Sequence, residues 1–124
     1  MTIADSLLSI FTMFFFFVFI DWADMKESSF QSELIRELED IFPGCIVIKN
    51  DPTMIRRQGM PDLLILYQDR WAALECKRNS QASRRPNQDY YVNKMNQMSY
   101  ASFVYPENKE EVLYEIQRSF GLCG

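Results

Sequence analysis

The sequence predicts a single α/β domain in which a mixed sheet is flanked by helices. Two observations carry this prediction. Apolar residues recur at helical spacing near both ends of residues 28–120 and fall into short strand-like runs between them. A further amphipathic stretch separates the third of those runs from the fourth, and a strand–helix–strand connection makes its two strands parallel. The order is α-β-β-β-α-β-α, and 124 residues suit one domain.

Ser28 with Gln31 three residues later reads as a capping box opening the first helix, in which Phe30, Leu34, Leu38 and Ile41 share a face until Pro43-Gly44 stops it. Residues 45–49 (CIVIK) form a short β-branched strand, and residues 50–60 a polar loop with Pro52 and Gly59. Residues 63–67 (LLILY) are all apolar, the pattern of a strand covered on both faces. Gln68-Asp69-Arg70 turns tightly into an alternating strand, residues 71–77. A polar, basic loop at 79–85 leads to Pro86, tolerable in the first turn of a helix on which Tyr91, Met95 and Met98 share a face. Residues 101–105 (ASFVY) are a fourth strand. After Pro106, Asn108 with Glu111 opens a last helix carrying Val112, Leu113, Ile116 and Phe120.

Residues 1–24 differ from the rest. Residues 7–20 are a nearly unbroken apolar run holding six of the ten phenylalanines, with no basic residue before it. About 14 residues fall short of the ~20 that cross a bilayer as a helix, and a signal peptide needs a basic start. Three readings compete: a membrane-associating segment, an extra hydrophobic helix packed on the domain, or translation from an upstream start. Met25, directly before a helix start, favours the last; the domain proper is then 25–124, and a chain beginning at Met25 is expected to fold.

Formal net charge is −4, which argues against a nucleic-acid partner until its distribution is read. Residues 49–94 hold nine Lys or Arg against five acids, so a locally basic middle can still meet a phosphate backbone. The three scattered cysteines fit free thiols in a reducing cytoplasm, the expected location. With no histidine, His-dependent triads and most zinc enzymes are excluded. Chemistry must run on carboxylates, lysine and a hard metal ion.

Alternation points Glu75 and Lys77 to one face of their strand, and an antiparallel pairing across the tight turn sets Asp62 opposite them. Two carboxylates and an ammonium at one sheet edge suit Mg²⁺, which takes one or two carboxylates, keeps waters and binds substrate phosphate. E-x-K alone is a common chance pattern, and such a pair is usually solvated surface. Its placement after Gly59-Met60-Pro61-Asp62, an apolar strand and a tight turn is what singles it out.

These stretches resemble the PD-(D/E)XK nuclease superfamily, nearest its VRR-NUC branch and the small phage and archaeal Holliday-junction resolvase-like enzymes. The matching segments are ELIRELEDIFPG (33–44), RQGMPDLLILY (57–67), AALECK (72–77) and RRPNQDYY (84–91), and the likeness covers about residues 28–119. It implies a restriction-endonuclease-like core (α-β-β-β-α-β with a C-terminal helix) and a Mg²⁺-dependent DNA endonuclease in which Mn²⁺ substitutes. Asp62, Glu75 and the backbone carbonyl of Cys76 would hold the metal, and Lys77 would activate water. A carboxylate from the first helix would join them; Glu33 and Glu37 share a face, and Glu33 stands at the family's distance from Pro43-Gly44. Gln88 would hydrogen-bond near the lysine or DNA. Arg56, Arg57, Arg78, Arg84 and Arg85 are the candidate DNA contacts, although basic loops are more often mere surface. Tyr90 and Tyr91 are candidates for base stacking or core packing. A homodimer would supply two sites for two cuts. The rival expectation is a non-catalytic nucleic-acid-binding module that keeps only the fold.

Overall fold

The computed structural model describes residues 27–51 and 58–122. Expectations for residues 1–24 and for Arg56 and Arg57 therefore lie outside the described residues. The chain is α/β: helix α1 (Glu27–Ile41), strands β1 (Ile46–Lys49), β2 (Leu63–Tyr67) and β3 (Arg70–Cys76), helix α2 (Pro86–Met98), strand β4 (Tyr100–Val104) and helix α3 (Lys109–Ser119). The four strands form one mixed sheet in the order β1-β2-β3-β4, antiparallel except for β3 and β4. The parallel pair is the one joined through a helix, as the sequence order requires.

Helix α1 starts two residues earlier than a cap at Ser28 implies, and Gln31 does not act as a cap partner. It turns inward, is buried and hydrogen-bonds the Cys76 thiol. Gly44, at φ +88°, takes the left-handed conformation that ends the helix. Strand β2 turns into β3 through Gln68-Asp69, with Tyr67 paired to Arg70.

Phe30, Leu34, Leu38, Phe42, Leu63, Ile65, Leu74, Val104, Ile116 and Phe120 fill the main core, between one sheet face and helices α1 and α3. The other face carries a smaller core in which Val92 of α2 packs on Ala73, Ala101 and Phe103. The expectation that β2 is covered on both faces needs correction: Leu63 and Ile65 are buried, whereas Leu64 and Leu66 are only half-buried. An all-apolar strand reports affinity for a cover, not the cover itself. Among the described residues no helix is long and apolar enough to cross a membrane.

Candidate active site

Three strand ends and the starts of α1 and α2 meet at one end of the sheet. Pro61 has no N–H to give a ladder, so β2 begins only after it. Asn50 fixes that start twice: its N–H donates to the Asp62 carbonyl at 2.8 Å, and its side-chain amide donates to the Pro61 carbonyl. Leu63 pairs with Leu74 across the hairpin, which sets Asp62 beside Glu75. Asp62 Oδ2 accepts the Cys76 N–H at 2.9 Å. The Lys77 N–H donates to the Val104 carbonyl at 2.8 Å. In a trans peptide the carbonyl points opposite to the N–H, so the Cys76 carbonyl is directed away from β4 toward the Asp62 side. The Cys76 side chain points into the main core, as alternation demands.

Glu75 and Lys77 are buried, an uncommon state for charged residues without partners. Gln88, in the first turn of α2, partners both. Lys77 Nζ donates to Gln88 Oε1 at 2.8 Å, and Gln88 Nε2 donates to Glu75 Oε1 at 2.9 Å. The Arg85 N–H also donates to Gln88 Oε1, at 3.0 Å, which ties the amide to the helix start. One residue thereby fixes the rotamers of the lysine and the glutamate.

Glu75 Oε2 is buried with no hydrogen-bond partner. Burial first, and the neighbouring Asp62 carboxylate second, push the Glu75 carboxyl well above the usual carboxylate range. Burial likewise raises Asp62, against the lowering effect of the Cys76 N–H. Each carboxyl group stands close enough to the other to act on its titration. A divalent cation relieves both penalties at once, by neutralising the repulsion and ligating the bare oxygen. Asp62, Glu75 and the Cys76 carbonyl thus fit a hard cation that keeps part of its water shell. Among the described residues no group of three or more His, Cys, Asp or Glu forms a closed chelating set.

These groups lie in a cleft of about 940 Å³ whose lining includes Asn50, Gly59, Arg78, Asn79, Arg85 and Glu27. Glu27 is the helix carboxylate at the site. Burial and the Asp62 charge raise its carboxyl, and Lys77 is near enough to oppose that rise. Glu33 is not brought to the cleft: it is exposed and lies near Lys109 on another flank of α1. Glu37 faces the same way, bound to Lys109 Nζ at 3.0 Å. The helical wheel held the signal. At about 100° per residue, Glu27 falls roughly 20° from Leu34, within the buried stripe, and Glu33 roughly 100° away from it.

Gly59 closes the cleft wall. It has φ +93°, and a Cβ there would lie 2.5 Å from the Asn87 Cβ and 2.7 Å from the Asn87 carbonyl carbon. The glycine lets the loop before Asp62 lie against the first turn of α2, coupling Asp62 to Gln88. Gly59→Ala is expected to destabilise the domain by about 1–2 kcal/mol through the clash and the left-handed backbone. Chemical denaturation measures this, and an unchanged midpoint would show that the approach is not needed.

The basic residues divide. Arg78 and Arg85 line the cleft. Arg84 instead lies over the Phe103 ring, 4.0 Å from its centroid, with an Asp89 oxygen 3.9 Å away. Tyr90 and Tyr91 form an edge-on pair, Tyr90 exposed and Tyr91 half-buried. Comparisons with protein-family models, curated proteins and solved structures found no significant match to this chain.

Proposed function

We propose that the cleft is the active site of a metal-dependent DNA endonuclease with a restriction-endonuclease-like core, of the PD-(D/E)XK kind that the sequence resembles. The observation that carries this reading is the Asp62–Glu75 pair: two carboxyl groups drawn together out of water, one oxygen without a partner, beside a buried lysine. A structural ion pair has no need of a second carboxylate, and a solvated surface pair is not buried.

Mg²⁺, or Mn²⁺ in its place, would be held by Asp62, Glu75 and the Cys76 carbonyl, and would supply charge neutralisation at the scissile phosphate and a more acidic water. Lys77 orients the attacking water and offsets phosphate charge. Gln88 keeps Lys77 and Glu75 apart at a fixed spacing, so the ammonium does not collapse onto the carboxylate. Glu27 at the rim adds negative charge toward a cation or its waters. Arg78 and Arg85 receive phosphates flanking the cut.

The direct test is cleavage of labelled linear, flapped and branched DNAs with Mg²⁺, against a Lys77→Ala control. Cleavage lost in the control supports the reading. Binding without any metal-dependent cleavage would instead favour a module that keeps the fold and has lost the chemistry.

The two classes of arginine give a second test. Combined Arg78→Ala and Arg85→Ala should weaken DNA binding across sequences and lower the slope of log K against log salt by roughly 1–2, one released counterion per lost phosphate contact. Arg84→Ala should leave that slope nearly unchanged, because its guanidinium is engaged with Phe103 and Asp89. A slope that falls only with Arg84→Ala would reverse the assignment.

A further inference from the structure

Strand β1 is an edge of the sheet, with β2 on one side and no strand on the other among the described residues. The ladder shows which of its backbone groups are free. The Asn50 N–H donates to the Asp62 carbonyl, and this pair continues the β1–β2 register by one step. Hydrogen-bonded pairs alternate with non-bonded ones in an antiparallel ladder. Ile48–Leu64 and Ile46–Leu66 are therefore the bonded pairs, and Val47 turns its N–H and carbonyl outward. The strand has no proline and its register runs without a bulge, so two devices that commonly blunt an edge are missing. Side chains alternate too. Cys45 and Val47 pack on the main core, whereas Ile46 and Ile48 stand on the other face, 60% and 40% exposed. Beside them lie half-buried Leu64, Leu66 and Trp71. A free strand edge and an exposed apolar stripe coincide.

We propose that β1 pairs with β1 of a second copy of this chain, antiparallel about a two-fold axis at Val47, to make one continuous sheet of four strands from each copy. In this register Val47 exchanges both hydrogen bonds with Val47 of the second copy. Ile46 lies opposite Ile48 of that copy, and Cys45 opposite its Lys49. Two observations select a copy over another partner. The apolar stripe is self-complementary. The axis runs normal to the sheet, so Ile46 and Ile48 of both copies meet on one face and form a single patch, extended by Leu66 and Trp71 on either side. Charge agrees on the other face. Glu39 of α1 is exposed and stands near enough to the Cys45 thiol to raise its pKa. Lys49, exposed on that same face near Asp62 of its own chain, comes opposite Cys45 of the other copy and so meets Glu39 there. A foreign strand would need its own apolar pair and cation at the same spacing. The pairing turns the second copy end for end. Asn50, next to Lys49, lines the cleft, so the two clefts open at opposite ends of the joined sheet, not side by side over one duplex. The pairing does not depend on what reaction the cleft performs.

Sedimentation equilibrium of the full chain tests the association. A short edge with two isoleucines a side is a small interface, so a monomer–dimer equilibrium with Kd on the order of 10 µM is expected. Combined Ile46→Lys and Ile48→Lys, at exposed positions, set like charges opposite one another and should weaken it at least about tenfold. A chain still monomeric at about 1 mM would overturn the proposal. A dimer untouched by both substitutions would place the contact elsewhere and overturn it as well. Disulfide trapping reads the register. Ile46→Cys and Ile48→Cys chains, mixed and mildly oxidised, should join position 46 to position 48, identified by mass spectrometry of the linked peptides. Opposite residues of a non-bonded pair have Cα atoms about 4.5 Å apart, within disulfide reach. Neither variant alone should link at its new cysteine, because identical positions then lie diagonally about 8 Å apart. No 46–48 link in the mixture, or a 46–46 or 48–48 link in a single variant, would overturn the pairing.

Discussion

Asp62→Ala and Lys77→Ala are each expected to lower metal-dependent DNA cleavage by at least about a hundredfold and to leave the chain folded. The magnitude follows from what each removal takes away. One preorganised electrostatic partner is worth about 10²–10³ in rate, and a positioned proton-transfer group about 10²–10⁴. Asp62 is both half of the carboxylate pair and the acceptor of the Cys76 N–H, so its loss removes a metal donor and loosens the carbonyl beside it. Folding should survive, because Asp62 is only partly buried and repels Glu75 and Glu27. Lys77→Ala deletes the ammonium and frees Gln88, leaving the carboxylates in place. Cleavage of labelled DNA by each variant, with circular dichroism as the folding control, reads the effect. Full activity in either variant, in a preparation free of host nuclease, would remove the mechanism.

The centre of this site was legible in the sequence because strand geometry is rigid. A side-chain period of two and a two-residue turn leave Asp62, Glu75 and Lys77 few places to go, and the observed register puts them together. Gln88 follows from Pro86, whose preference for the first helical turn sets the helix phase. The helix carboxylate was harder. Taking Ser28 as the cap left Glu27 outside the helix, and the pair Glu33 and Glu37 then drew attention because they share a face with each other. Glu33 lies about 60° or more from each of Phe30, Leu34 and Leu38, Glu37 sits at the margin of their stripe, and Lys109 holds both carboxylates on that flank. Phase against the buried stripe is the better guide, since a helix has one orientation once its apolar residues are seated.

Other features escaped because they depend on partners distant in sequence. Gln31 looked like a cap residue, yet the Cys76 thiol of a strand forty-five positions away draws it inward. Arg84 and Arg85 are adjacent in one basic loop, and only the position of Phe103 separates them into a packing residue and a cleft residue. The run LLILY gave a strand but not its cover, because composition does not say which half of a sheet the next helix takes.

Glu75→Gln is expected to raise the stability of the metal-free protein by about 2–3 kcal/mol at pH 8 while abolishing cleavage. Burial and Asp62 raise the folded-state pKa of Glu75, whereas the unfolded chain titrates near the ordinary value of about 4.3. A group whose folded pKa is raised binds more protons folded than unfolded between those two values. Its contribution to stability is therefore complete below about pH 4 and is lost as pH rises through neutrality toward the folded value. One pKa unit corresponds to about 1.4 kcal/mol, and a raised value several units above the ordinary one, reduced for solvent screening and for the charge of Asp62 beside it, gives the figure above. The neutral amide of Gln keeps the volume, still reaches Gln88, and has no charge to bury. For a domain of this size the gain corresponds to a rise in Tm of roughly 5–15 °C. Mg²⁺ should separate the two proteins. It should stabilise the parent chain at pH 8, because a ligand that binds only the folded state adds RT ln(1 + [L]/Kd), and it should leave the Glu75→Gln variant nearly unmoved. Thermal melts of both proteins at pH 5 and pH 8, with chelator and with Mg²⁺, decide the matter without any nuclease assay. A parent chain whose metal-free Tm does not fall between pH 5 and pH 8, or a variant that gains as much from Mg²⁺ as the parent, would show that Glu75 is not half of a metal-seeking pair.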